Sequence, residues 1–443
     1  MRMRSRACFL FAAFFVAIFW TAGSRAAIRE TSVRELVEAS DLIVAAQAVA
    51  QESAWNDEIQ RVETITTLSI DALVPGHAPG ETVRVTTLGG YLSDRDLHMF
   101  VSSEARFALG QRYAVLLDSP DDRGIRTVTG LALGATAIRS DQSPLPGERA
   151  FDFVARINPH LPAERTGRER AAYDFQTVAT HELGHFLGLG DIYDEGSSHR
   201  DCMGKNNGAK MMFGQTAAGE IKRGLHNADM LGIRFIYGNQ TVPVDNGANN
   251  ENLFTYICVG RMLTDCCSNE PLDVKYRWKS LPVSYYSHQA DFTEDHVSRI
   301  QFAMNTWVDE SASAYTATYR GDTIVDSFAF DDGINIVHVA HPSEVSNWAL
   351  AQTTIGADSN GYIKGADVGF NGTTYEWSPA LPAGANGIPT PNPDVPKEEG
   401  PRGGCFAGTR STAAGPGADL LVLGLLGAIA AVSRRSRKAA TRQ

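Results

Sequence analysis

The chain has 443 residues, of which 43% are hydrophobic and 21% charged, and its formal net charge is −11. That length is too great for one ordinary domain and ample for a sizeable core. The acidic balance is spread rather than blocked, which argues against nucleic acid and against a basic membrane-binding surface. Residues 1–26 read as a signal peptide. Arg2, Arg4 and Arg6 form a basic region, Ala7 to Trp20 an apolar run short for a membrane span, and Ser24-Arg25-Ala26 the cleavage region. The expectation is a protein exported through the inner membrane to an extracellular or cell-surface location.

Residues 28–161 read as a compact, mostly-β accessory domain. Ser32-Val33-Arg34-Glu35 is a capping box opening a short helix to about Ala39. Strands are predicted over Leu42 to Val49, Val62 to Val74, Thr82 to Thr87, Arg112 to Leu117 and Thr127 to Ile138. Pro75-Gly76, Gly89-Gly90 and Asp121-Asp122-Arg123-Gly124 punctuate them. No cysteine lies there to cover a metal, and His77, His98 and His160 read as surface residues in turn-rich settings.

Residues 165–238 carry the chemistry. In His181-Glu182-Leu183-Gly184-His185-Phe186-Leu187-Gly188-Leu189-Gly190-Asp191, two histidines stand four residues apart. On a helix they share one face and can share one metal ion. Glu182 sits about a quarter turn away, within reach of a water on the metal but poorly placed as a ligand. Gly188 can take a left-handed conformation and turn the chain back, so that Asp191 returns as a third ligand. Three protein ligands leave a fourth position open, as in catalytic rather than structural zinc sites. His199 is the rival third ligand, and Asp194 and Glu195 lie close by in sequence.

These residues resemble the metzincin zinc peptidases, matrixin-like and snapalysin-like, whose motif is HExxHxxGxxH or HExxHxxGxxD. The resemblance implies zinc held by His181, His185 and Asp191, with Glu182 as the catalytic base. It assigns Met212, in Lys210-Met211-Met212-Phe213-Gly214, to the methionine turn beneath the metal, a plain core methionine being the structural alternative. Lys222 to Gly238 resembles the closing helix of matrixin-like domains. Residues 28–161 resemble an accessory domain often found ahead of secreted bacterial peptidases.

Residues 239–274 form a cysteine-bearing linker. Cys202, Cys258, Cys266 and Cys267 make an even set outside the two ends, which in an exported chain points to two disulfides. Neighbours Cys266 and Cys267 rarely bond to each other, leaving Cys202 to one and Cys258 to the other. Residues 275–378 read as strand, helix, strand, strand, strand. Leu281 to Tyr286 is the first strand, and a helix begins at Thr293-Glu294-Asp295-His296 with an apolar stripe of Val297, Ile300, Ala303, Met304, Trp307 and Val308. Ile334 to Val339, Ala349 to Ile355 and Ala366 to Phe370 are the later strands. This order resembles the upper half of a matrixin-like domain, which in that family precedes the active-site helix. Here it follows, so the peptidase domain reads as circularly permuted. Contact between the helix around Trp307 and the helix around Val178 is the test.

The family places an edge strand antiparallel to the substrate backbone, and Leu350, Ala351, Gln352, Thr353 and Thr354 match it. Phe213 to Gly219 would form the wall of the main specificity pocket. Asp358-Ser359-Asn360-Gly361 resembles a calcium-turn fragment, against which stands an ordinary solvated turn. Residues 379–404 are a Pro/Gly linker. Residues 405–443 hold Cys405, an apolar run Leu420 to Val432 and basic Arg434, Arg435, Arg437 and Lys438. That tail resembles a myxobacterial-type C-terminal sorting signal, the one segment expected to contact a membrane, with a simple C-terminal anchor as the alternative.

The reading is therefore an α+β protein: a small mostly-β domain, then a metzincin-like domain of twisted mixed sheet and active-site helix with permuted halves. Its expected activity is zinc-dependent endopeptidase action on a protein or peptide. The alternative is a non-catalytic zinc-binding envelope or adhesion protein that keeps a peptidase fold.

Overall fold

Ser32 caps the first helix, α1 (Val33–Ala39). Its hydroxyl accepts from the Glu35 N–H, and the Glu35 carboxylate accepts from the Ser32 N–H at 3.0 Å. This is the capping box expected from the sequence. The chain then builds β1 (Leu42–Asn56), β2 (Arg61–Val74) and β3 (Thr82–Leu88), followed by short β4 (Gly90–Leu92) and β5 (Leu97–Val101). After β6 (Arg112–Leu117) and β7 (Ala135–Ala137) comes α2 (Ala150–Ile157). The structure is a computed structural model. It describes residues 28–29, 31–74, 81–164, 173–194, 203–204, 207–238, 254–259, 266–267, 274–310, 313–326, 328–329, 332–341, 344–372, 374–375 and 377–378. The expected signal peptide, His199, Glu195, Cys202 and the whole tail from residue 379 lie outside the described residues.

The first sheet is antiparallel throughout, in the order β3-β2-β1-β6-β7. Its centre is buried on both faces. Ile43 and Ala45 of β1 pack beneath α1 and α2, while Val44 and Ala46 pack with Phe107 and Tyr113 on the other side. Two expectations fail here. Thr127 to Ile138 is not one strand, because Gly130 (φ 75°) and Leu131 (φ 55°) are left-handed and a 3-10 turn follows over Leu131–Gly134. Helix α2 was not foreseen, although Phe153, Val154 and Ile157 form a buried helical stripe.

β4 and β5 leave this sheet for a second one. That sheet is made chiefly by β8 (Val283–His288), β9 (Ala317–Thr323), β10 (Ile336–Ala340), β11 (Ala351–Ala357) and β12 (Tyr362–Asn371). The order is β9-β8-β10-β12-β11-β5-β4, and Arg277–Trp278 pairs with the start of β12. β8 is parallel to β9 and β10, and β10 to β12, whereas β11 is antiparallel to both its neighbours. The accessory region is thus not a free-standing neighbour, since its hairpin completes the later sheet. Residues Phe328, Ala340, Val345 and Ala349 also share a core with α1 and α2.

Two helices lie side by side against the second sheet: α3 (Phe175–Phe186) and, after α4 (Asn227–Tyr237), α5 (Glu294–Glu310). Ile300, Ala303, Met304 and Trp307 of the expected α5 stripe are buried, and Val308 packs at the margin. Trp307 Nε1 donates to the Thr180 carbonyl at 2.7 Å, and Arg299 Nη1 to Gln176 Oε1 at 3.1 Å. The two separated halves therefore build one body, and the molecule is α+β. Among the described residues no helix is long and apolar enough to cross a membrane.

On the face of β12 away from α3 sits a buried acid. Asp367 accepts from the Ala329 and Ile336 amides at 3.0 and 2.9 Å. Burial outweighs those bonds and raises its pKa to about 7. In the unfolded chain the group titrates near 3.9. Between these values the folded state keeps a proton that the unfolded state has lost. Its contribution to stability is complete below pH ~4 and disappears as pH rises through 7. We expect thermal stability of the natural chain to fall over this window relative to Asp367→Asn, by an amount on the order of 4 kcal/mol. Parallel pH profiles would show that Asp367 titrates normally.

Candidate metal centre

α3 begins at Asp174, whose Oδ1 accepts from the Thr177 N–H at 2.7 Å. Arg223 grips the same carboxylate, with Nη2 2.6 Å from Oδ2. The helix is buried along its whole length. It ends at Leu187, and Gly188 follows at φ 96°. A Cβ there would stand 2.5 Å from the Tyr276 carbonyl oxygen, so both backbone and space demand glycine. The return segment is then fixed from two sides. Ile257 N–H donates to the Gly188 carbonyl at 2.8 Å and Thr255 Oγ1 to that of Asp191 at 2.9 Å. Ile192 N–H donates to the Met212 carbonyl at 2.8 Å. The cysteine-bearing linker thus props the loop. Cys258 within it is disulfide-bonded.

This brings His181, His185 and Asp191 together. The two Nε2 atoms are 3.0 Å apart, and Asp191 Oδ1 lies 3.1 Å from that of His181 and 3.3 Å from that of His185. Each imidazole turns its other nitrogen to a backbone carbonyl: His181 Nδ1 to Met211 at 2.8 Å and His185 Nδ1 to Leu189 at 2.9 Å. Such partners fix the tautomer that leaves Nε2 as donor to a metal. His181, Glu182 and His185 form a buried group able to hold a metal ion. Within it Glu182 has a ligand atom within 4.8 Å of those of both histidines. Its Oε2 accepts from Thr353 Oγ1 at 2.6 Å and from Ser102 Oγ at 3.2 Å, while Oε1 is buried with no partner among the described residues.

Burial lowers the pKa of His185, but Asp191 and then Glu182 outweigh it and raise the value to about 9. Burial pushes Asp191 up, and the two imidazoles pull it far below the ordinary carboxylate range. The donors therefore carry a proton that a cation can displace. Met212 packs against the same helix. A Cβ on Gly184 would overlap Met212 Sδ and stand 2.8 Å from Trp307 Cζ2. The turn itself is held by Asp229, which accepts from the Met211 and Met212 amides at 2.8 and 3.2 Å.

The expected edge strand needs correction. Leu350 precedes β11, and the outer edge is not open. Val101 pairs with Thr354 and Phe100 with Ile355, and Ser102 N–H donates to the Thr353 carbonyl at 2.9 Å. Gln352 Nε2 reaches Glu104 Oε1 at 3.4 Å. Ala351 and Gln352 lie opposite Phe370 and Gly369 of β12 on the inner side. The suspected calcium turn is satisfied internally, Asp358 Oδ1 accepting from the Asn360 and Tyr362 amides at 2.9 Å each. Ser102, Thr353 as a partner of Glu182, and Asp229 were not foreseen as site residues. His226 to Asp229 has capping-box spacing, a signal that could have exposed the last.

All the central side chains are sealed from solvent. His181, Glu182 and His185 are 0% exposed and Asp191 4%. Compared with protein-family models, with curated proteins and with solved structures, the chain matches none of them.

Proposed function

We propose that this protein is a zinc-dependent endopeptidase with a permuted metzincin-like domain. The triangle of two imidazole nitrogens and one carboxylate oxygen carries the reading. Ligands about 2.0–2.1 Å from one tetrahedral ion stand about 3.3 Å apart, close to the 3.0, 3.1 and 3.3 Å found. Two nitrogens and one oxygen suit zinc, and three protein ligands leave a fourth position free. The α3–α5 contact across 127 residues supports one closed domain from the two halves.

Held by His181, His185 and Asp191, zinc would supply a Lewis acid for a scissile carbonyl and would acidify a water toward pKa ~7. Asp191 brings negative charge to the donor set and moderates that acidity relative to three neutral histidines. Glu182 takes the proton of the attacking water and passes it to the leaving amine. Thr353 holds Glu182 Oε2, leaving Oε1 for this transfer. Met212 and Trp307 close the apolar floor that keeps the helix rigid. An exported location is part of the proposal, supported by the leader-like residues 1–26 and by the disulfide at Cys258. The membrane contact assigned to residues 405–443 belongs to it as well.

Metal analysis of the purified chain should give one zinc, lost in His181→Ala and reduced by 10-fold or more in affinity in Asp191→Ala. Full zinc retention in both would refute the site. The burial of these four side chains also fits a non-catalytic zinc-binding envelope protein. Hydrolysis of a peptide library that chelator abolishes would establish the peptidase reading.

A further inference from the structure

A peptidase site needs a slot for an extended chain, and here the slot is filled from within. We propose that β5 with Ser102, together with Ile28–Arg29, is an internal peptide bound in the substrate's place, so that the folded chain is latent. This rests on the peptidase reading and adds its regulation and substrate shape.

Both rims are occupied. On the upper rim β5 adds antiparallel to β11, the direction expected of a substrate. On the lower rim Ile28–Arg29 pairs in parallel with Gln215–Thr216, inside the segment expected to wall the specificity pocket. Ile28 also bridges Ala349, and Arg29 N–H donates to the Trp348 carbonyl at 3.2 Å. Side-chain placement agrees with the backbone. Phe100 and Ser102 face α3. The Phe100 ring centroid is 5.9 Å from that of His185, buried in the α3 core with Arg106 against its outer face. Ser102 does two jobs: its hydroxyl reaches Glu182 Oε2 at 3.2 Å and accepts from the Thr353 N–H at 2.8 Å. The proposed base is engaged and fully buried. Ser103 then takes φ 62° and turns the chain away. When β5 withdraws, the same slot selects an extended peptide with a bulky aromatic at the Phe100 position.

The test uses the full chain with Ser102→Pro and Phe100→Ala. Proline removes the Ser102 N–H and hydroxyl, and alanine empties the place beside His185. The probe is a fluorescent synthetic peptide with the sequence of Leu97 to Glu104, read by initial anisotropy. We expect the folded double variant to bind it roughly tenfold or more tightly than the natural chain. Equal affinity, or no binding by a folded variant, overturns the proposal. Should the double variant fail to fold, Ser102→Ala with Phe100→Ala is judged by the same comparison. Probe binding without cleavage of any library peptide by the zinc-loaded variant would instead discard the peptidase reading and leave the internal-peptide assignment standing.

Discussion

Glu182→Gln is expected to keep one zinc per chain and to lose peptide hydrolysis by roughly 10²–10⁴-fold, the usual contribution of a positioned general base. The assay belongs in the Ser102→Pro, Phe100→Ala chain, in which the proposed slot is expected to open. The substitution is chosen for its shape. Glutamine still offers an amide oxygen to Thr353, so the hydrogen bond at 2.6 Å is kept and the helix is undisturbed. What disappears is the ability to carry a proton. Zinc content should stay, because the Nε2 and Oδ1 donors belong to His181, His185 and Asp191. Turnover preserved in the zinc-loaded variant would show that Glu182 is not the base. Zinc lost together with activity would mean that Glu182 is itself a ligand.

Trp307→Ala is expected to destabilise the body by about 3–5 kcal/mol, in the range for emptying a large buried aromatic site. Trp307 is fully buried, its indole N–H bonds the Thr180 carbonyl at 2.7 Å, and its ring lies against Gly184 in the last turn of α3. Loss of the ring removes the support of the helix that carries both histidines, so zinc affinity should fall as well. Trp307→Phe keeps most of the volume and loses the hydrogen bond, for a smaller cost of about 1 kcal/mol plus packing. Calorimetric melting of the three proteins decides it. An alanine variant that melts with the natural chain would show that α3 and α5 do not share a core.

Much of this architecture was legible because it is local. The histidine spacing, the glycine stop and the aspartate return all lie within eleven residues, and 3.6-residue periodicity marked both α3 and the Trp307 helix. Strands β1, β2, β3 and β6 and most of the later ones followed from alternation, although their ends shifted. What escaped was non-local. Leu97–Val101 is only five residues long, and Ser102 meets Thr353 251 residues away. No short-range pattern encodes that partner. β9 was missed because Ala317–Thr323 carries Arg320, Gly321 and Asp322 on a largely half-buried strand. Leu350 to Thr354 was read as a free edge for the same reason: the strand that covers it comes from the opposite end of the sequence.

The pairing of Ser102 with Thr353 also sets an order of events during synthesis. Growing chains fold as their segments emerge, from the N-terminus onward. His181, His185 and Asp191 are made well before β11, yet Glu182 acquires its Thr353 partner, and β5 its sheet, only after residues 351–357 have emerged. A nascent chain therefore holds these three residues without the strand that partners Glu182. That strand is also the one on which β5 docks, so the two contacts form together. Such long-range strand pairing is slow to form.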